Sequence, residues 1–235
     1  MKDIIGAMAE EKSYQRERLN GIDSSLSSRI VKFGYDNLTE YFEEKRKHLF
    51  NAWRPEVYRI PLEDFAEVVE DAIISEKYGI YIPVCNGLYA YHGDDDIDYD
   101  ECRDLNLRIV ELKYRGGTIV GSGDDFSIEI IMPSYIGLDS GDIITKISDI
   151  LSACIDGVEI SGNDILVNGK KVMGSMERLV GNVYVWAAQI SFGEYDQYIE
   201  RVCKKKSKKK PSKIDRNKLT RDRLEHEVIS WLQKR

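Results

Sequence analysis

The sequence predicts a mixed α/β domain with a largely antiparallel sheet flanked by helices, carrying a helical N-terminal extension. Three observations lead there: short β-prone runs recur between Tyr78 and Ile190, amphipathic helical segments precede and interrupt them, and Asn168-Gly169 sits between two of the runs. With 235 residues, 42% of them hydrophobic, the chain is long enough to bury a sizeable core.

From the N-terminus to about Trp53 the chain is charged and helix-prone, with Leu26, Ile30, Phe33, Leu38, Phe42 and Leu49 at mostly helical spacings around a break at Gly34. Residues 1–54 are therefore assigned to an extension of two or three amphipathic helices. Pro55 and Pro61 punctuate the boundary, and Leu62 to Ser75 reads as a helix with Phe65, Val68, Val69, Ala72 and Ile73 on one face. The period then shortens. Strands are expected at Gly79–Val84, Gly87–Tyr91, Arg108–Leu112, Thr118–Val120, Ser127–Met132, Asp164–Val167 and Asn182–Ile190. Between them, Asp142 to Ile155 places Ile143, Ile147, Ile150, Leu151 and Cys154 at helical spacing, as a helix returning across a sheet would. Residues 55–200 form the expected main domain, and residues 201–235 a basic linker followed by a helix that Thr220 can cap.

The net charge of −7 hides a split: the last 35 residues carry 14 Lys/Arg against 4 Asp/Glu. The block Lys204–Lys210 repels itself too strongly to fold alone, and could attract nucleic acid, although a solvated linker is favoured. The segment MKDIIGAMAEEK turns acidic where a signal peptide needs its apolar stretch, and no run approaches eighteen apolar residues, so a cytoplasmic protein without a membrane span is expected. Cys85, Cys102, Cys154 and Cys203 show no C-x-x-C spacing and there are only three histidines. That pattern speaks against a zinc site or a disulfide framework.

Two segments could carry chemistry. Arg115-Gly116-Gly117 opens a stretch with further glycines at 121 and 123, whose backbone can approach a ligand closely while the arginine holds a carboxylate or phosphate. A tight hairpin accounts for the same glycines. In the second, Asn168-Gly169 signals a two-residue hairpin turn, which sets Asn163 and Asp164 at the start of one strand beside Lys171, Gly174 and Ser175 on its partner. Lysine, oxygen ligands and accessible backbone suit a phosphate with its magnesium. A solvated surface hairpin is the alternative.

Asn163-Asp164-Ile165, Gly169-Lys170-Lys171-Val172 and Gly174-Ser175 together resemble the signature of the biotin/lipoate protein ligase and octanoyltransferase superfamily, and lipoate-protein ligases most of all. Arg115-Gly116-Gly117 resembles that superfamily's upstream substrate loop. The resemblance implies an enzyme that activates lipoate or a related acid with ATP and Mg2+ and passes the acyl group to a lysine of a lipoyl-carrier domain or other acceptor protein. By position, Lys171 would be catalytic, Asn163 and Asp164 would hold nucleotide phosphates, and Asp164 would meet the magnesium. Arg115, Gly116, Gly117, Gly174 and Ser175 would bind the acyl substrate.

The chain departs from the family pattern at two places: Gly121-Ser122 and Val185-Trp186-Ala187 stand where histidines are common. A non-catalytic binding module of the same fold, and a carrier-dependent octanoyl or lipoyl transferase, are the alternatives. The transferase would need a cysteine nucleophile, and neither Cys154 nor Cys203 falls at that branch's position. The run Asp94 to Asp100 has carboxylates at alternate positions, but Glu101 stands where a calcium loop needs glycine, so it is read as a solvated acidic turn. His92, alone at a strand end, is read as structural.

Overall fold

A computed structural model describes residues 53–93, 97–112, 118–136, 138–204 and 210–234. The expected N-terminal helices, the Arg115-Gly116-Gly117 loop and residues 94–96 and 205–209 lie outside the described residues. The chain divides into two compact units, and the larger, Pro55–Pro133 with Asp139–Gln233, holds both sheets and the helices packed on them.

Its strands are β1 (Glu56–Pro61), β2 (Gly79–Val84), β3 (Leu88–His92), β4 (Arg108–Glu111), β5 (Thr118–Ser122), β6 (Phe126–Pro133), β7 (Val158–Ser161), β8 (Asp164–Val167), β9 (Lys170–Val180) and β10 (Val183–Ile190). The helices are α1 (Leu62–Ile74), α2 (Tyr99–Asp104), α3 (Ser140–Ser152), α4 (Asp196–Val202) and α5 (Arg221–Lys234). A seven-stranded sheet runs in the order β1-β2-β6-β10-β9-β8-β7, and a three-stranded sheet in the order β4-β3-β5. In the large sheet only β1 and β2 pair in parallel, joined through α1; every other pair is antiparallel.

Burial follows position. β6, central between β2 and β10, is buried at all eight residues, as a strand covered on both faces must be. On one face, α1 buries Leu62, Phe65, Val69 and Ala72 at helical spacing and joins Tyr89 and Tyr91 of β3 over Tyr81, Ile131 and Val185 of the large sheet. On the other face lies α3, opened by the Asp139 carboxylate accepting from the Asp142 N–H at 2.8 Å. The fully buried Trp186 donates from Nε1 to Ser140 Oγ of α3 at 3.2 Å. Adjacent residues of β10 thus serve two cores: Val185 faces the small sheet, Trp186 faces α3.

The hairpin predicted at Asn168-Gly169 forms, with both residues at positive φ (51° and 74°), the left-handed geometry of a tight two-residue turn. A bulge at Ile165/Leu166 shifts the register of β8 against β9. Four elements differ from the sequence expectation or add to it. The Pro55–Pro61 boundary is the edge strand β1, which tolerates proline at its end. The acidic turn continues into α2, because Asp98 accepts from the N–H groups of Asp100 and Glu101 at 3.1 Å. β7 and α4 had no periodicity to announce them. No helix among the described residues is long and apolar enough to cross a membrane.

Candidate functional site

One row of the large sheet organises the site. Asp164 of β8 pairs with Gly174 of β9, Gly174 with Gln189 of β10, and Gln189 with Ser127 of β6. Register partners project to the same face, so this row offers a carboxylate, a bare backbone, an amide and a hydroxyl in sequence. Lys171 reaches along β9 over the bare position, and its Nζ meets Asp164 Oδ1 at 2.8 Å. A Cβ on Gly174 would stand 2.8 Å from both Cε and Nζ of Lys171. Glycine is needed here because the ammonium occupies the side-chain space.

A cavity of about 110 Å3 opens against this row, lined by Thr118, Ile119 and Val120 of β5, Lys171–Gly174, Gln189, Ser191, Ile199 of α4 and Pro211. Its wall is mainly aliphatic, with the lysine at its rim. Thr118, at the cavity wall, directly follows Arg115-Gly116-Gly117 in the sequence. The C-terminal segment closes the other side. Lys171 N–H donates to the Lys210 carbonyl at 2.9 Å and Ser212 N–H donates to the Lys171 carbonyl at 2.7 Å. That segment is anchored in turn by Lys213 on Glu194, by Ile214 N–H on the Ser191 carbonyl, and by the burial of Ile214 and Leu219.

Behind the cavity lies a buried carboxylate. Asp125 accepts from the N–H groups of Ser122 (3.0 Å), Phe192 (2.8 Å) and Gly193 (3.3 Å), from Gln189 Nε2 (3.3 Å) and from the Tyr195 hydroxyl. Burial pushes its carboxyl above the ordinary carboxylate value, and the donors only partly offset that. Burial, with the Asp125 charge second, pushes the Tyr195 hydroxyl up as well.

Of the residues expected at the site, Lys171, Asp164 and Gly174 come together. Ser175 points to the opposite face, opposite Ala188, and its hydroxyl donates to the Asn163 carbonyl at 2.8 Å; the Asn163 side chain is exposed. Arg115, Gly116 and Gly117 lie outside the described residues. His92 is buried with its Nε2 at 3.3 Å from the Tyr99 hydroxyl, and neither Cys154 nor Cys203 lines the cavity. Sequence reasoning missed Gln189, Pro211 and Asp125. One signal was available: Gln189 is the lone amide in the apolar run Val185-Trp186-Ala187-Ala188-Gln189-Ile190.

The size of the Gly174 effect can be measured. Gly174→Ala forces the end of Lys171 aside, which is a flexible group, so we expect thermal melts close to wild type and the Lys171–Asp164 contact to be displaced, read as a loss of that ion pair in a crystal structure of the variant.

A seven-stranded mixed sheet, a small sheet stacked on it and a lysine hairpin beside the cavity constitute the biotin/lipoate protein ligase fold. LipL1 of P. falciparum, in complex with lipoate, superposes with a TM-score of 0.62 at 13% identity, over 75% of this chain and 61% of LipL1, which is less than two thirds of that protein. The bipartite lipoate protein ligase of Thermoplasma acidophilum, described together with its E2 lipoyl domain as an archaeal lipoylation system, gives 0.58 at 13% identity over 76% and 83% of the two chains. Lipoate-protein ligase A bound with ATP gives 0.55 at 11% identity over 77% and 85%. No family model and no curated protein sequence matches. At these identities the likeness establishes the fold.

Proposed function

We propose that this chain is a lipoate-protein-ligase-like acyltransferase acting within residues 55–200, with part of residues 201–235 closing its site. An oxygen of the carboxylate of lipoate or a related acid attacks the α-phosphorus of ATP. Pyrophosphate leaves and an acyl-adenylate forms. The amine of a carrier-protein lysine then attacks the acyl carbon, expelling AMP and losing a proton. The observation that carries this reading is the Lys171 ammonium laid over the bare Gly174 at the rim of an aliphatic cavity. There it can hold the acid's carboxylate and the phosphate it attacks, and stabilise negative charge that grows during both steps.

Support comes from structures of the same fold that hold lipoate or ATP, and from a bipartite lipoate protein ligase described together with its E2 lipoyl domain. Among the described residues no three His, Cys, Asp or Glu side chains form a metal cluster. A magnesium ion bound mostly by nucleotide phosphates needs only one or two protein carboxylates, and Asp164 would supply one. Such an ion would neutralise phosphate charge. The free cysteines suit a reducing cytoplasm.

Calorimetric titration with ATP and lipoate together, followed by mass spectrometry, tests the reading. Heat release and a retained acyl-adenylate are expected. A folded protein that gives neither, yet is recovered with a stable protein partner, would instead be a binding module on the same fold. The specific observation favouring that second reading is the replacement of family histidines by Gly121, packed under Gln189, and by the Trp186 stretch, turned toward α3.

A further inference from the structure

We propose that Pro211, carried in by the C-terminal segment, sets the length of the acid: the site takes a carboxylic acid of about six carbons or fewer, and the proline ring stops a longer chain. This rests on the acyl-adenylate reading above and narrows its substrate class.

The place of the ring is fixed by the sheet. Pro211 is the parallel register partner of Lys171, so its side chain stands on the same face as the lysine. In a parallel pair a residue bonds the two neighbours of its partner. Lys171 accordingly donates to the Lys210 carbonyl at 2.9 Å and accepts from the Ser212 N–H at 2.7 Å. That ladder asks nothing of position 211 itself, so a residue without an N–H is accepted there. Ile214 N–H then bonds the Ser191 carbonyl at 2.8 Å, and Ile214 and Leu219 are buried. The ring is therefore held as firmly as the strand it borders.

Two cavities meet at this ring. The aliphatic one, about 110 Å3, is lined by Gly174 under the Lys171 ammonium and by Pro211 in the row of Lys171, ~10 Å away at the rise of a strand. The second, about 560 Å3, is polar, with Lys170, Glu194, Asp196 and Lys213 in its wall. Among the described residues, Pro211 alone belongs to both linings. With the carboxylate held at the ammonium, the tail of the acid fills the aliphatic cavity. A dry cavity of about 150 Å3 takes one benzene, about 25 Å3 per carbon, so 110 Å3 has room for about four carbons beyond the carboxylate end. A longer tail meets the ring and, past it, lysines and carboxylates whose water a hydrocarbon would have to displace. Octanoate is thus excluded twice, by shape and by desolvation.

The test uses the full chain with ATP and butanoate, hexanoate, octanoate, 8-hydroxyoctanoate and lipoate. Adenylation is read as pyrophosphate release and binding by calorimetry. We expect hexanoate to react at least roughly tenfold better than octanoate or lipoate, the cost of methylenes that do not fit a pocket. In Pro211→Ala and Pro211→Gly the ring is gone and the cavities join, so the octanoate-to-hexanoate ratio should rise roughly tenfold. The ratio for 8-hydroxyoctanoate, whose hydroxyl reaches the polar side, should rise further. Neither variant removes a backbone donor, because proline has none; melts are recorded, and Pro211→Ala carries the result if glycine loosens the segment. Octanoate or lipoate used as well as hexanoate by the wild type overturns the length limit and leaves the enzyme reading standing. A preference for short acids that survives both variants unchanged moves the limit away from Pro211 and overturns the proposal. If no acid releases pyrophosphate, the enzyme reading falls and calorimetry decides: the same order of lengths, relaxed in the variants, keeps Pro211 as the wall, and no binding by any acid removes it.

Discussion

Lys171→Ala should slow acyl-adenylate formation by about a hundredfold or more, the loss that follows removal of one preorganised charge from a reaction centre. The fold should survive. Lys171 and Asp164 are both partly exposed at their 2.8 Å contact, so the pair contributes little to stability, on the order of 1 kcal/mol or less. Its backbone links to Lys210 and Ser212 do not depend on the side chain. Pyrophosphate release and thermal melting on the same preparation separate the two effects. Lys171→Arg is a sharper probe, because charge is kept while the planar guanidinium must fit a space shaped by the absent side chain of Gly174. We expect that variant to remain impaired. Wild-type rates in Lys171→Ala would sink the proposed role of this lysine, whatever the protein is found to bind.

What could be read from the sequence follows the range of the signal. Asn168-Gly169 states its own turn, and the turn fixes which strands pair; Asp164, Lys171 and Gly174 were therefore legible as neighbours before any fold was known. The apolar period of Leu62–Ile74 likewise gave α1 to within a residue. Contacts that depend on chain return gave no local sign. Pro211 comes to lie on the cavity forty residues after Lys171, at the end of a lysine-rich stretch whose composition suggests only solvent. Asp98 was hidden among other acids, though one backbone step decides that it caps a helix. β7 shows no alternation because it is an edge strand with two of its four residues exposed, so neither face imposes a pattern.

Asp125 illustrates the same point with a larger consequence. In sequence it is the second acid after a glycine, at what reads as a hairpin end; in the fold it gathers N–H groups from β5, from the chain beyond β10 and from Gln189. Gly121 lacks a Cβ where Gln189 Nε2, the Tyr89 hydroxyl and Asp125 Oδ2 crowd together, so the cluster is built into the backbone as well. Asp125→Ala would orphan several buried donors at once. We expect a loss of about 3–5 kcal/mol, which is roughly 10 °C or more in Tm for a domain of this size. Asp125→Asn keeps the volume but turns one acceptor into a donor facing donors, and should cost about 1–3 kcal/mol. The pH dependence has a definite sign. Burial raises the folded-state pKa above its unfolded value, so the acid form is favoured by folding and its contribution is lost as pH rises through the folded pKa. The stability gap between wild type and Asp125→Asn should therefore narrow as pH climbs from below the ordinary carboxylate range to above the raised value. Chemical denaturation across that window reads it directly, and a gap that widens instead would mean that the donors outweigh burial.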